Sequence, residues 1–274
     1  MHMDKRLVVS VMACAVMLTY SSPSGAQTWN YTGLSAEQLK APPSGPAPTR
    51  DLTGIWDAGG LGIGGAPQEK ERAAAQAPFT PLGEQMARRN KPGNGPRSAP
   101  VAEINDPLST LGDPSGFPRL LTFELRPVQI FQTPTQVVML YMFEKRWRVI
   151  WTDGRELPQD PDPRWYGYSV GRWENDDTFV VQTVGMDDRT WIDNSGSPHS
   201  TDLRVEERYR RVSQNMLELT VTIDDPKIYA KPWLARNKLP LRLVPANVDL
   251  MEMIPAASEA QAYSKEISSQ TTAK

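Results

Sequence analysis

From residue 120 to residue 244 the sequence is a succession of short β-strand patterns separated by turn residues. In residues 146–151, for example, Trp147, Val149 and Trp151 recur at a period of two, which places them on one face of a strand. Residues 174–177 and 213–215 have the polar composition of tight hairpin turns. The predicted strands are residues 51–57, 122–133, 137–143, 146–151, 166–174, 178–186, 202–212 and 216–224.

These strands follow one another along the chain, so each is expected to pair with its sequential neighbours. Sequential antiparallel strands close most simply into a barrel, because closure leaves no strand edge exposed. We therefore predict a mainly β fold, an antiparallel up-and-down β-barrel with an irregular N-terminal segment that contains short helices. The helices are predicted at residues 35–40, with Ser35 as N-cap, at 68–76, and at 81–89, with Thr80 as N-cap.

The beginning of the chain has the composition of a cleavable export signal. Lys5 and Arg6 precede an uncharged apolar run, residues 7–18, and the small residues 24–26 form a cleavage site, which predicts a mature chain that begins at Gln27. A run of about a dozen residues is too short to cross a hydrocarbon core of roughly 30 Å as a helix. We therefore expect a periplasmic or secreted protein without a membrane span.

Composition divides the remainder of the chain into three parts. Residues 27–50 are rich in proline and serine and are predicted to form a flexible arm. Residues 51–257 are predicted to form a single barrel domain, which carries an irregular insertion at residues 58–119. The polar residues 258–274 are predicted to be a flexible tail.

Charge and residue usage exclude several classes of function. The chain has 30 basic and 32 acidic side chains, a balance that gives no electrostatic reason to bind nucleic acid. Its one cysteine, Cys14, belongs to the export signal, so we expect no disulfide-linked partner. Residues 60–65 fit the dinucleotide pattern G-x-G-x-x-G, but Pro67 and a charged segment follow where that site needs a helix in a βαβ unit. We expect no cofactor and no metal site.

Two motifs resemble those of known protein families. The Gly54-Ile55-Trp56 opening is similar to the Gly-x-Trp signature of lipocalin-like barrels, in which the tryptophan plugs the closed end. Residues 171–181, GRWENDDTFVV, resemble a strand–turn–strand motif shared by a widespread family of exported bacterial proteins of unassigned function. Four shorter blocks resemble the same family, at residues 113–119, 151–155, 163–167 and 229–233. The resemblance implies the barrel and the exported location, and it implies no catalytic mechanism.

Residues 187–200 form a long connection between two strands that a short turn could have joined. Connections of this length are often functional, and this one contains His199 together with Asp187 and Asp193. A histidine oriented by a carboxylate is the arrangement that general acid–base catalysis requires. The alternative is that residues 193–196 are an ordinary turn and that His199 caps a strand.

The strand pattern of residues 202–212 predicts an inward-facing carboxylate. Glu207 shares a face with apolar residues, so burial would require a cationic partner, for which Arg126 and Arg148 are the candidates. The alternatives are a structural ion pair, or a β-bulge that turns Glu207 outward. Aromatic residues and arginines of the strand region are the candidate ligand-binding set: Arg126, Trp147, Trp151, Tyr166, Tyr168, Trp191, Arg204 and Tyr209.

Three functions are compatible with these patterns. The first is a barrel that binds a small, mainly apolar molecule in an aromatic-lined cavity. The second is a cofactor-independent lyase, isomerase or hydrolase, in which His199, Asp187, Asp193 and Glu207 supply acid–base groups to the same cavity. The third is an envelope-associated interaction protein without a ligand, whose docking surface is the proline-rich region 41–118.

Overall fold

A computed structural model describes most of the region in which strands are predicted. The described residues are 33–59, 77–123, 125–254, 256, 258–259, 261–262 and 265–266. The predicted export signal, the glycine-rich residues 60–65, the predicted helix at 68–76 and most of the tail lie outside them.

The described chain forms a closed barrel of nine strands in sequential order, so the predicted fold class is confirmed. The strands are β1 (Gly54–Asp57), β2 (Val128–Gln132), β3 (Gln136–Tyr141), β4 (Trp147–Trp151), β5 (Tyr168–Trp173), β6 (Thr178–Val184), β7 (Arg204–Ser213), β8 (Met216–Asp224) and β9 (Trp233–Val244). The helices before the last strand include α1 (Ala36–Lys40), α2 (Pro81–Arg89), α3 (Pro107–Thr110), α4 (Arg119–Thr122) and a 3₁₀ turn, Val101–Glu103.

Two short helices begin where the sequence predicts. The Ser35 hydroxyl accepts from the Gln38 amide, and the Gln38 side chain bonds back to the Ser35 amide, which is a complete capping box for α1. The Thr80 hydroxyl accepts from the Gly83 amide, and Pro81 occupies the first position of α2. These local interactions satisfy amides that have no partner within the helix.

One strand pair departs from the antiparallel prediction. All neighbours are antiparallel except β4 and β5, which run parallel and pair through Ile150 with Ser169 and Trp151 with Val170. A closed ring of nine strands cannot alternate direction throughout, so at least one parallel pair is required. Because parallel neighbours cannot be joined by a tight turn, residues 152–167 form a crossover along the barrel.

Strand direction gives the barrel two unlike ends. The turn end has the short connections 133–135, 174–177 and 214–215. The loop end has the long connections 58–127, 185–203 and 225–232 and the five-residue turn 142–146, and it also receives the end of the crossover. Long connections at one end of a rigid barrel are where binding groups are usually carried.

Prolines explain two differences between the predicted and the observed strands. The strand predicted at 122–133 begins only at Val128, because Thr122 belongs to α4 and Pro127 has no amide hydrogen for a neighbouring strand. The last strand, β9, contains Pro240 and has no clear sequence pattern. It pairs with β1 only through residues 242–244, so no β1 residue needs the amide that Pro240 lacks.

At the turn end, Trp56 packs in the core beside the β7–β8 turn, and the role that the Gly-x-Trp resemblance implies for it stays a prediction. Its side chain is fully buried, and its Nε1 donates to the Leu52 carbonyl at 2.9 Å. The guanidinium of Arg211 lies 4.5 Å from the ring and donates to the carbonyls of Ser213 and Gln214 in the β7–β8 turn. Trp173, in the second motif, is only half-buried and packs against Phe179.

Candidate functional site

An ion pair between β4 and β7 lies inside the barrel. Alternate residues of β7 are buried, including Val205, Glu207 and Tyr209, so the inward position predicted for Glu207 is confirmed. Its carboxylate is 0% exposed and binds Arg148 through two contacts, Nη2 to Oε1 at 2.5 Å and Nη1 to Oε2 at 2.9 Å. This bidentate geometry is the strongest form of an arginine–carboxylate interaction. Of the two predicted partners, Arg148 is therefore the one that pairs with Glu207.

Hydroxyl groups from the neighbouring strands complete the interactions of this pair. Arg148 also donates to Ser169 Oγ on β5, at 3.0 Å, and to Thr183 Oγ1 on β6, at 2.8 Å. The Tyr209 hydroxyl donates to Glu207 Oε2 at 2.8 Å. We call these five residues the interior polar cluster. A buried charge costs several kcal/mol unless it is paired and hydrogen-bonded, and here both charges meet that condition.

Burial and the charge of Glu207 shift the pKa values of Arg148 and Tyr209. Burial lowers the pKa of Arg148, but the charge and hydrogen bonds of Glu207 outweigh it, so the net shift is upward. Burial raises the pKa of Tyr209 well above its ordinary value, and the charge of Glu207 raises it further. Tyr209 is therefore a neutral phenol, available as a hydrogen-bond donor.

Phe117 covers the interior polar cluster from the loop end. Its ring centroid lies 3.9 Å from the guanidinium carbon of Arg148, which is a close cation–π contact, and its side chain is fully buried. The ring comes from the irregular connection between β1 and β2. Its amide donates to the Trp165 carbonyl of the crossover at 2.9 Å.

A second buried ion pair holds this connection in place. Arg119, in α4, donates to both oxygens of Asp106, at 2.7 and 2.5 Å. The guanidinium carbon of Arg119 lies 5.3 Å from the ring centroid of Phe123 and 5.4 Å from that of Trp191. We call residues 106–123, which carry this pair and Phe117, the cap.

The predicted catalytic loop is packed against the cap. Residues 190–199 are all buried, and His199 is 0% exposed. Its Nδ1 must donate to the Ser200 carbonyl, at 3.0 Å, which leaves Nε2 as an acceptor 2.8 Å from the Thr190 hydroxyl, whose one hydrogen also faces the Asp187 carbonyl at 3.0 Å. Burial lowers the pKa of His199, although the Ser200 carbonyl and the charge of Asp225 oppose the shift. His199 is a neutral imidazole with both nitrogens bonded within the protein.

The two aspartates predicted to be catalytic, Asp187 and Asp193, do not bond to His199. Asp193 accepts from the amides of Ser195 and Ser197 and from the Ser197 hydroxyl, so it forms the turn that was the alternative to catalysis. Asp187 pairs with the exposed Arg189 at 2.7 Å, and the hydrogen bonds from Arg189 lower its pKa. A catalytic role for His199, Asp187, Asp193 or Glu207 stays a prediction.

The candidate ligand-binding residues occupy different parts of the molecule. Tyr209 belongs to the interior polar cluster, and Trp191 is buried against the cap. Tyr166 bonds to Glu144 at the loop end, the Tyr168 hydroxyl donates to the Asp162 carbonyl, and Arg126 is partly buried just before β2.

The other three candidates lie on the outer face of the barrel. Trp147 is 67% exposed, and Trp151 packs against Arg155, whose guanidinium carbon is 3.5 Å from the ring centroid. Both share the face of β4 opposite to Arg148. Arg204 lines an outer groove of about 660 Å³ between the crossover and the ends of β6, β7 and β8.

Sequence reasoning did not single out Phe117, Ser169 or Thr183. Ser169 and Thr183 lie in predicted strands, but a lone hydroxyl in a strand has no distinguishing pattern. Phe117 lies in a proline- and glycine-rich segment without periodicity. The one indication of its importance was the family resemblance of residues 113–119, a block that lies in the cap.

The described residues include no cluster of three or more histidine, cysteine or acidic side chains that could hold a metal ion. Within the same part of the chain, no helix combines the length and apolar character needed to cross a bilayer.

Breaking the interior ion pair on one side should be costly, and removing both partners should cost less than the sum. We expect Glu207→Leu or Arg148→Met alone to lower the free energy of unfolding by about 3–5 kcal/mol, because each leaves a buried charge unpaired. The double variant should recover at least about 2 kcal/mol of the summed loss, measured by urea unfolding. The control is Glu218→Gln, which breaks the outer-face pair Arg210–Glu218 of β7 and β8 and should cost less than about 1 kcal/mol. Additive losses in the double variant would contradict the pairing.

Burial of His199 should make stability depend on pH. The ordinary pKa of histidine is 6.5, and the folded value is lower, so between the two values the unfolded chain binds a proton that the folded chain does not. The free energy of unfolding should therefore fall as the pH is lowered from about 7 through 6.5, by at most about 1.4 kcal/mol per pH unit, and level off below the folded pKa.

The measurement is urea unfolding of protein that begins at Gln27, in which His199 is the only histidine. His199→Gln should lack this component of the pH dependence. An identical pH profile in both proteins would show that His199 is not buried in its neutral form.

Comparison with known proteins gives no relative. No family model, no curated protein and no solved structure matches the chain significantly. The resemblance of residues 54–56 and 171–181 to known families therefore stays a prediction, and the function must be argued from the geometry of the chain itself.

Proposed function

We propose that this protein is an exported β-barrel that binds a small, mainly apolar molecule inside the barrel, with a flat ring of the ligand stacked on Arg148. The observation that carries the proposal is the position of Phe117. Its ring lies on the guanidinium face of Arg148 at 3.9 Å, but it is supplied by the cap and not by a strand of the barrel. In this proposal Phe117 occupies the place that the ligand takes.

The surroundings of Arg148 suit such a ligand. The buried residues around the interior polar cluster are mainly apolar, including Met139, Ile150 and Phe179. A binding site in a barrel typically combines apolar walls with a few fixed polar groups that set orientation. The guanidinium plane is an unusually good surface for an aromatic ring, because arginine both stacks on rings and attracts their electron-rich faces.

Exchange of Phe117 for a ligand would leave the interior ion pair intact. The ring contacts the face of the guanidinium, whereas the bonds to Glu207, Ser169 and Thr183 come from its edge. The buried bond between Arg119 and Asp106 anchors the cap beyond Phe117. A ligand therefore needs to displace only the Phe117 side chain and its immediate backbone. Arg148 and Glu207 stay paired inside the barrel.

The exported location rests on residues 5–26 and is tested independently of binding. N-terminal sequencing of protein recovered from outside the cytoplasm should begin at Gln27. Material that still carries residues 1–26 would contradict export.

Removal of the Phe117 ring should increase binding of an apolar aromatic probe. We expect Phe117→Ala to bind N-phenyl-1-naphthylamine at least tenfold more tightly than the wild-type protein, since the internal competitor for the Arg148 surface is gone. The variant should lose about 3–5 kcal/mol of stability. Probe at 100 times its dissociation constant should restore about 2.7 kcal/mol of that loss.

Probe fluorescence and thermal unfolding measure the two effects. The matched control is Phe131→Ala on β2, which removes a phenylalanine that is 42% exposed and should change neither quantity appreciably. Equal probe affinity in the wild-type protein and in Phe117→Ala would overturn the proposed site.

A further inference from the structure

The turn between β3 and β4 places a buried carboxylate at the loop end in an unusual backbone conformation. Glu144 has a φ of 61° and Lys145 a φ of 48°, in the left-handed region that few residues other than glycine adopt. Glu144 is nevertheless only 6% exposed. Positive φ at both central residues is typical of a type I′ β-hairpin turn, which usually contains glycine, so a glutamate and a lysine there cost conformational energy.

The carboxylate of Glu144 joins the cap to the crossover. Its Oε1 accepts from the Ser115 amide at 2.6 Å, and its Oε2 accepts from the Tyr166 hydroxyl. Arg146 lies at the edge of this group, with its Nε 3.8 Å from Oε2. The three partners come from the blocks 113–119 and 163–167 and from the turn itself.

One polar atom of this group has no hydrogen bond. Ser115 is 1% exposed, and its hydroxyl has no partner among the described residues. The hydroxyl lies near the phenol of Tyr166, and this contact opposes the upward shift that burial causes in the pKa of Tyr166, but the two oxygens do not form a hydrogen bond of normal geometry. A buried polar atom without a partner is rare in folded proteins and calls for an explanation.

We infer that Ser115, Glu144 and Tyr166 form a subsite that binds a neutral hydroxyl group of the ligand. This inference rests on the proposed binding of an aromatic ring at Arg148. A hydroxyl both donates and accepts, so it matches the free Ser115 hydroxyl on one side and the Glu144 carboxylate on the other. An anionic group would be repelled by the Glu144 carboxylate, whose charge is already balanced by Arg146, so a neutral hydroxyl fits the subsite better than a charged group.

The spacing of the cap residues gives the size of the ligand. Ser115 and Phe117 are two residues apart, so their Cα atoms are separated by at most about 7 Å. The two positions therefore lie close together, so a ligand that contacts both Arg148 and Ser115 carries its ring and its hydroxyl in one compact molecule. The inferred class is a compact aromatic alcohol or phenol.

A matched pair of probes tests this class. We would measure binding of 2-naphthol and of 2-methoxynaphthalene, which share the ring system but differ in the hydroxyl donor, by quenching of tryptophan fluorescence in the wild-type protein and in Phe117→Ala. Both proteins should bind 2-naphthol roughly tenfold more tightly than 2-methoxynaphthalene, because one hydrogen bond to a charged acceptor contributes about that much.

Ser115→Ala separates the subsite from a merely structural role. The substitution removes a buried hydroxyl without a partner, so thermal stability should be unchanged or slightly higher, while the preference for 2-naphthol should fall at least threefold. Ser109→Ala is the matched control within the cap, because its hydroxyl already bonds to the Asp106 carbonyl, and it should leave the preference unchanged.

The outcomes distinguish the two proposals. Equal binding of both probes by the wild-type protein, or a full preference for 2-naphthol in Ser115→Ala, would overturn the hydroxyl subsite and leave the ring site standing. Binding of neither probe, even by Phe117→Ala, would overturn the ring site and this inference with it.

Discussion

The odd number of strands is the constraint on which the rest of the structure depends. Because nine strands cannot close with alternating directions, β4 and β5 run parallel, and residues 152–167 must return to the loop end. That return brings Trp165 to the amide of Phe117 and Tyr166 to the carboxylate of Glu144. The cap is therefore fastened to the barrel by a segment whose course follows from the count of strands. An eight-stranded antiparallel barrel would need no such crossover.

The interior polar cluster adds an energetic constraint to this geometry. Arg148 and Glu207 come from strands that are not neighbours, and the hydroxyls of Ser169 and Thr183 lie on the two strands between them. A shift in register by one residue would turn each of these side chains to the outer face and leave its partner unpaired. The pair thus specifies which closure of the barrel is adopted, in addition to any direct contribution to stability.

Much of the architecture was predictable, because it follows from local sequence patterns. Period-two alternation placed Glu207 inside, and capping residues gave the start of the helix at Pro81. The site was less predictable, because its parts are joined by tertiary contacts between irregular segments. Nothing local distinguishes Ser115 or Phe117 from other residues of a proline-rich connection. His199 was conspicuous as the only histidine of the mature chain, yet the structure buries it with both nitrogens bonded to protein groups.

The parallel pair is also the place where the barrel is closed by the shortest strand pairing. β4 and β5 pair only through Ile150 with Ser169 and Trp151 with Val170, so few hydrogen bonds close the barrel at this junction. Local openings of a protein begin where the fewest interactions must break. The Arg148 side chain extends from β4 across this junction and bonds to residues of β5, β6 and β7, so it links the strands on both sides of the parallel pair. A molecule stacked on that guanidinium would favour the position of Arg148 that links these strands. Ligand binding inside the barrel and pairing of β4 with β5 would therefore be thermodynamically linked.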